Sequence, residues 1–349
     1  MTRVEFFDEL KRNITNVPSE AMDDILYDLG EHFDVGLADG LSESEICKNL
    51  GQPGSIAEQI MEEFRKSGAG GSINTEHQVI LENDGKDVTF DETFSSVNEV
   101  YVEMKVSDIY LERESRDDFR VVIRGNAKCD KYTIGNKNGR LEIIEHGQFA
   151  RFFSFTFTKS LEVIVYAPTQ FTGSITAKSA AGKIKCKDLT SPIKLSSSAG
   201  NISVERHLSD HADLHTSAGS IDADFLGKTA LRLHTSAGSI KLKANETKEL
   251  MLDSGAGSVK AEIDKISGDS KLSSGAGSIK LTAHEVEGNL KLSSGAGSIK
   301  AFLPEDANIK LKLKKSSIGS VKSEIRGNES SPYTLKAQTG VGSVKINKL

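Results

Sequence analysis

Hydrophobic side chains recur at three- and four-residue steps through the first 66 residues, a spacing typical of amphipathic helices. The first two apolar stripes comprise Val4, Phe7, Leu10 and Ile14, then Ala21, Ile25, Leu26, Leu29 and Phe33. Ser42 and Glu45 have the S-x-x-E spacing of a capping box, which predicts a third, short helix. Residues 56–64 carry the stripe of a fourth. We therefore predict a small all-α N-terminal domain over residues 1–66.

From residue 79 onward the pattern changes to alternating apolar and polar residues, which is typical of half-buried strands. A short motif, S-x-A-G-S-I-K, recurs with variations and centres on Gly182, Gly200, Gly219, Gly238, Gly257, Gly277, Gly297, Gly319 and Gly342. The spacing between these glycines runs from 18 to 23 residues. Such a period is too short for a four-stranded propeller blade of about 40 residues and predicts one coil of a solenoid instead.

Alignment on the repeated glycine places like residues in columns. Ile or Val stands two positions after it in all nine copies, and Leu recurs upstream from Leu195 to Leu292. Since parallel strands of adjacent coils lie about 4.8 Å apart, like side chains would stack into buried rows. We predict a flexible linker over residues 67–78 and an all-β parallel β-solenoid (β-helix) over residues 79–349, regular from about residue 171.

Three details of the coil follow as expectations. The repeated glycine would adopt a backbone conformation costly for other residues at a tight corner. The alanine before it, as at Ala237, would fill the crowded inside of that corner. The open end of the first coils would be capped by Phe152, Phe153, Phe155 and Phe157.

Both regions resemble known bacterial families. The head, through residues 7–10, 18–20 and 27–33 and the stretch 40–57 with its Leu-Gly-x-Pro, resembles the HAAS signalling domain. Residues 161–168, followed by the repeated Ser-Ala-Gly-Ser-Ile, resemble a putative-adhesin family of unknown function that forms a β-helix. The first resemblance implies signalling through a partner, and the second implies display at the cell surface.

Composition narrows the location and the chemistry. Cys47, Cys129 and Cys186 form no C-x-x-C pair, so neither a zinc knuckle nor a redox dithiol is predicted. The acidic N-terminus does not fit a secretory signal, and no apolar run reaches the ~18 residues of a transmembrane helix. We expect a cytoplasmic protein, with peripheral membrane attachment as the alternative.

Charge is distributed unevenly along the chain. Residues 1–66 contain 15 Asp/Glu and 6 Lys/Arg, a net charge of −9, whereas residues 232–349 contain 19 Lys/Arg and 12 Asp/Glu, a net charge of +7. One lysine column lies three residues after the repeated glycine and consists of Lys241, Lys260, Lys280, Lys300, Lys322 and Lys345. Stacked cations repel unless anions intervene. The column therefore predicts either an anion-binding face or a solvated, solubilising one.

Two other columns carry polar chemistry. Serines follow the glycine at 220, 239, 258, 278, 298, 320 and 343. A ladder of identical serines singles out no nucleophile, so mutual hydrogen bonding is expected. His215, His234 and Asp253 share a third column. Their side chains would point the same way instead of converging on one zinc ion.

We therefore predict a non-catalytic interaction, scaffolding or regulatory module, which acts in envelope stress or signalling and has no cofactor, metal site or catalytic residues. The alternative is an adhesin-like envelope protein that binds anionic polymer or lipid headgroups through the lysine column. A protein partner of the head and self-association are expected, and sequence-specific nucleic-acid binding is not, because no aromatic residues alternate with the lysines. An enzyme such as a polysaccharide lyase is least favoured, since regular coils leave little cleft.

Overall fold

The protein is described by a computed structural model that covers residues 1–15, 41–66, 78–81, 88–125, 131–146, 162–314 and 318–349, with single helical positions at Met22, Leu26, Leu29, Gly30, Phe33 and Leu37. The helical residues and the strands belong to two separate compact units. Each unit is described by itself.

The helical unit contains α1 (Arg3–Asn13), α2 (Glu43–Leu50) and α3 (Pro53–Lys66) within the described ranges. Thr2 and Glu5 form a capping box at the start of α1, and the predicted box of Ser42 and Glu45 starts α2. Each box pairs two backbone N–H groups that the first helical turn leaves without partners. No helix of the described chain has both the length and the apolar content needed to cross a membrane.

The core of this unit differs in one position from the predicted stripe. Val4 is 68% exposed, whereas its neighbour Phe6 is fully buried with Leu10 and Phe33. The rings of Phe6 and Phe33 meet edge-on with their centroids 5.8 Å apart.

The second unit consists of β-strands, most of them four to eight residues long. Its first part contains β1 (Gln78–Leu81), β2 (Val88–Phe94), β3 (Glu99–Met104), β4 (Asp108–Glu114), β5 (Phe119–Gly125), β6 (Lys131–Lys137), β7 (Arg140–His146) and β8 (Glu162–Pro168). The coils that follow contain β9 (Ser174–Ser179), β10 (Ile184–Lys187), β11 (Ile193–Ser197), β12 (Ile202–His207), β13 (His211–Thr216), β14 (Ile221–Thr235), β15 (Ile240–Ser254), β16 (Val259–Ile266), β17 (Ser270–Ser274), β18 (Ile279–Val286), β19 (Leu290–Ala296), β20 (Ile299–Leu303), β21 (Lys310–Lys314), β22 (Val321–Ser323), β23 (Thr334–Val341) and β24 (Val344–Lys348).

These strands pair in two long ladders. The first ladder runs β2–β5–β8–β4–β10–β12–β14–β15–β16–β18–β20–β24–β22. The second runs β7–β3–β9–β11–β13–β14–β15–β17–β19–β23–β21. The long strands β14 and β15 pass from the first ladder into the second.

The sheet is mixed, so the prediction of an all-parallel solenoid is correct only in part. Every pairing from β9 onward is parallel, but β1 pairs with β6, β2 with β5 and β5 with β8 in antiparallel fashion. The first strands lie in the stretch that lacks the glycine motif. Gln78 begins β1, so the strands start one residue earlier than predicted. The expected phenylalanine cap at 152–157 and linker residues 67–77 lie outside the described residues.

Like residues stack as the repeat predicted. Ile240 pairs with Val259, which pairs with Ile279, which pairs with Ile299, and all four are fully buried. The leucines from Leu195 to Leu292 form a second fully buried row. Together these rows build a continuous core along the ladders, because one coil cannot bury its own apolar side chains.

The order of the last coils differs from the sequence order. β24 lies between β20 and β22, and β23 lies between β19 and β21. Residues 334–348 supply Leu335, Val344 and Ile346, which are almost fully buried, whereas Ser323 of the outermost coil is exposed. The more apolar coil thus takes the position covered on both sides, and the more polar coil ends the stack.

The repeated glycine is explained by close approach and not by an unusual backbone conformation. Of the nine, only Gly319 and Gly342 have a positive φ. A Cβ on Gly238 would lie 2.0 Å from the carbonyl oxygen of Gly219 in the preceding coil, and Gly200 and Gly219 meet the same obstacle. The neighbouring Ala237 is exposed, so its predicted place inside the corner is wrong.

Candidate functional site

The predicted lysine column exists on the first ladder, in a changed order. Backbone pairing places its members as Lys241, Lys260, Lys280, Lys300, Lys345 and Lys322. Lys345 lies between Lys300 and Lys322 because β24 is inserted there. We call these six residues the first lysine row.

Two of the six lysines in the first lysine row are neutralised. The Nζ of Lys241 lies 2.9 Å from Oδ2 of Asp222, and this hydrogen bond raises the pKa of the lysine. The Nζ of Lys260 lies 2.7 Å from Oε1 of Glu262 and lowers the pKa of that carboxyl. Both pairs are solvated, so each contributes little to the stability of the fold.

The other four lysines form no ion pair with a carboxylate among the described residues. Lys280 places its ammonium 5.1 Å from the ring centroid of Phe302, a cation–π contact. Lys300, Lys345 and Lys322 are exposed, and none of them forms an ion pair with another described residue. The row therefore concentrates its unpaired charge on the last three coils.

The hydroxyls of the serine column accept hydrogen bonds mainly from backbone N–H groups. Oγ of Ser220 accepts from the backbone N–H of Ser239 at 3.2 Å, and Oγ of Ser298 accepts from that of Ser343 at 3.4 Å. A direct hydroxyl contact, 3.3 Å long, joins Ser320 and Ser343. These bonds fix coil spacing.

The histidine column stacks instead of converging. The rings of His215 and His234 are parallel, with centroids 5.0 Å apart, and Nδ1 of His234 lies 3.1 Å from Oδ2 of Asp253. Across the described residues, no group of three His, Cys, Asp or Glu side chains is placed to hold a metal ion.

Sequence reasoning missed a buried row of hydroxyls three residues before the repeated glycine. Thr216, Thr235 and Ser254 are fully buried and donate to the carbonyl oxygens of Gly200, Gly219 and Gly238 at 2.7–2.9 Å. The signal was present, because Ser or Thr occupies this position in successive copies. These bonds satisfy carbonyl groups that the corner would otherwise bury without partners.

A second missed feature is a polar cluster inside the coils. His207 is fully buried, with Nε2 2.9 Å from Oγ of Ser209, Nδ1 3.8 Å from Sγ of Cys186, and its ring edge-on to Phe225. Burial lowers the pKa of His207 to about 4 and raises the pKa of the Cys186 thiol. A thiol held protonated is a poor nucleophile.

A third missed feature is a row of lysines on the second ladder. Backbone pairing aligns Lys271, Lys291, Lys336 and Lys312 on four consecutive strands. All four are exposed, and we call them the second lysine row. The sequence alone shows part of this row, because lysine precedes the aligned leucine at positions 271 and 291. The rest of the row depends on β23 lying between β19 and β21, an order that the sequence repeat does not show.

Comparison with known proteins places both regions in families. Residues 97–348 match the family model described as Toastrack DUF4097, and residues 5–59 match the HAAS model. No curated protein matches the chain.

Among the solved structures that match this chain are three bacterial proteins of low sequence identity. A putative adhesin from Bacteroides fragilis is 17% identical, with a TM-score of 0.39, over 75% of this chain and 97% of that one. A putative adhesin from Parabacteroides merdae is 12% identical, with a TM-score of 0.44, over 76% and 98%. A putative lipid binding protein from Parabacteroides distasonis is 10% identical, with a TM-score of 0.39, over 75% and 98%.

The family model covers most of the β unit, from β3 to the end of β24, including the glycine repeat and both lysine rows. The HAAS match covers α1, α2 and the first half of α3. The chain belongs to the Toastrack DUF4097 family and carries a HAAS domain at its N-terminus.

Proposed function

We propose that this chain is a non-catalytic interaction module whose solenoid binds an anionic surface or polymer through the first lysine row. The carrying observation is the run Lys300, Lys345 and Lys322 on adjacent strands, with no carboxylate partner among the described residues. At strand spacing, each neighbouring pair of ammonium groups repels by on the order of 1 kcal/mol in water. A bound row of anions removes that repulsion.

The location of charge supports the same proposal. Residues 289–349 contain 11 Lys/Arg and 4 Asp/Glu, which accounts for the whole excess of positive charge in the last third of the chain. Charge of one sign on neighbouring strands raises the local concentration of counter-ions and speeds encounter with an anionic partner. Binding of this type serves a cytoplasmic protein held at the membrane periphery, or an adhesin-like protein at the envelope.

The test compares full-length protein with the variant K300Q/K322Q/K345Q. We expect the wild type to sediment with vesicles of phosphatidylglycerol and phosphatidylcholine, and to release as salt rises, because salt screens exposed charges. The triple variant should bind at least tenfold more weakly. A second arm uses soluble polygalacturonate, which separates a polymer ligand from a lipid surface.

The matched control is K185Q/K187Q/K194Q, which removes the same charge from exposed positions on earlier coils. It should bind as the wild type does. Equal binding by K300Q/K322Q/K345Q and the wild type in both arms would remove the proposal.

For the head we propose a protein partner and a role in signalling. The HAAS match and the net charge of −9 over residues 1–66 support this, as does Val4, an exposed apolar side chain on the outer side of α1. The test is cross-linking of full-length protein in bacterial cells, with V4D against E9Q as a control on the same helix. A partner retained equally by V4D would argue against a contact at α1.

A further inference from the structure

Three lysines of the second lysine row line a concavity. A depression of about 300 Å³ lies where β19, β23 and β21 meet, and it is lined by Lys291, Lys336, Lys312, Lys314 and Gln338 together with Leu292 and Ala337. Backbone pairing brings Lys291, Lys336 and Lys312 side by side, with Lys314 beside Gln338 in the next row. Four lysine side chains therefore border one small space.

The lining of the concavity carries positive charge and no carboxylate. No Asp or Glu is among its lining residues, and within the described chain none of the four lysines forms an ion pair. Asp269 comes directly before β17, which pairs with the strand of Lys291. Its Oδ1 accepts a hydrogen bond from the side chain of Asn289 at 2.9 Å. Lys336 and Lys312 lie two and three strands from β17, about 10 Å or more by strand spacing. Their charge is therefore not cancelled locally.

Four ammonium groups around a small depression suit a compact anion of several charges. Lysine binds phosphate as a point charge with three donors, and charge-assisted bonds of this kind are among the strongest in proteins. Gln338 adds an amide that can donate to a further oxygen. The volume is at the lower end of small-ligand sites, which begin at about 300 Å³.

We propose that this concavity is a second, separate binding site, for a phosphate group that carries at least two negative charges. It lies on the second ladder and shares no residue with the first lysine row, so it goes beyond the proposed surface binding. The phosphate is either a soluble polyphosphate or the exposed phosphomonoester of a lipid headgroup.

The test is isothermal titration calorimetry of full-length protein with sodium tripolyphosphate at low and at physiological salt. We expect saturable binding by the wild type and at least tenfold weaker binding by K291Q/K312Q/K336Q. K185Q/K187Q/K194Q, which loses the same charge from exposed positions on earlier coils, should bind within about twofold of the wild type. Circular dichroism melting of each variant verifies that it is folded.

The outcomes are separable. No saturable binding by the wild type, unchanged binding by K291Q/K312Q/K336Q, or an equal loss in both triple variants would each overturn the site, the last by showing bulk charge attraction only. A second arm measures binding to vesicles that contain phosphatidic acid, with tripolyphosphate as competitor. Competition assigns the lipid headgroup, and tripolyphosphate binding without vesicle binding assigns a soluble phosphate. If the protein does not bind phosphatidylglycerol vesicles, the surface-binding proposal fails, whereas the tripolyphosphate titration and the phosphatidic acid assay still test this site.

Discussion

At the scale of single residues, the repeat is defined by how closely adjacent coils approach. In six copies, from Gly200 to Gly297, an added Cβ would lie 2.0–2.4 Å from the carbonyl oxygen of the preceding repeat glycine, a distance that no Cβ tolerates. The buried Ser or Thr three residues earlier then donates to such a carbonyl. Glycine and hydroxyl therefore act as one unit in these corners.

We predict that Gly238→Ala lowers stability by at least about 3 kcal/mol, because the added methyl group would force the backbones of two coils apart. The measurement is the midpoint of urea unfolding. Ala237→Ser, an exposed change one residue away, should change the free energy of unfolding by less than about 0.5 kcal/mol. Equal midpoints for the two variants would contradict close approach at this corner.

A pH dependence follows from His207. Its pKa in the folded chain is about 4, below the ordinary value of 6.5, because burial disfavours the charged ring. The unfolded chain therefore takes up the proton first as pH falls. Stability is fully present above pH 6.5 and declines between pH 6.5 and 4, by up to about 3 kcal/mol.

The measurement is thermal and urea unfolding from pH 7.5 to 4, compared with His207→Leu, which should lose this part of the decline. The backbone carbonyl of Ser191 opposes the shift, and Asp188 lies near the same cluster through Cys186. His211→Gln, at an exposed position, should keep the wild-type profile. An identical decline in His207→Leu would show that other groups cause it.

At the scale of elements, the strands from β9 onward could be predicted from the sequence, and their order at the end of the stack could not. Alternation and the 18–23-residue period identify which side chains face inward, since both depend on local spacing. The position of β24 between β20 and β22 depends on a comparison of two whole coils: one carries Ile346 where the other carries Ser323. That choice is energetic and leaves no periodic signal.

The antiparallel strands before β9 were unpredictable for a related reason. Residues 79–170 alternate as the later strands do, and alternation does not distinguish the two directions of pairing. The same limit applies to the lysines. The six lysines of the first row were visible in sequence as one column, but the ion pairs of Lys241 with Asp222 and of Lys260 with Glu262 depend on side-chain positions that the column does not show.

At the scale of the whole molecule, an acidic helical domain and a solenoid with a basic end are joined in one chain. The core of the solenoid runs as continuous rows, so its stability is a sum over coil contacts. Both proposed binding sites lie at the C-terminal end of those rows, where the insertion of β23 and β24 brings three lysines together on each ladder. The reordered stack is therefore the claim on which the binding proposals depend.

Pairs of engineered cysteines test that claim directly, with disulfides mapped by mass spectrometry after mild oxidation. Residues 298, 343 and 320 come directly before β20, β24 and β22, and residue 343 is hydrogen-bonded to both of the others. We expect rapid disulfide formation in Ser298→Cys/Ser343→Cys and in Ser320→Cys/Ser343→Cys, and none in Ser298→Cys/Ser320→Cys, whose strands are separated by β24. A disulfide in Ser298→Cys/Ser320→Cys without one in Ser298→Cys/Ser343→Cys would show coils stacked in sequence order, and would contradict the account.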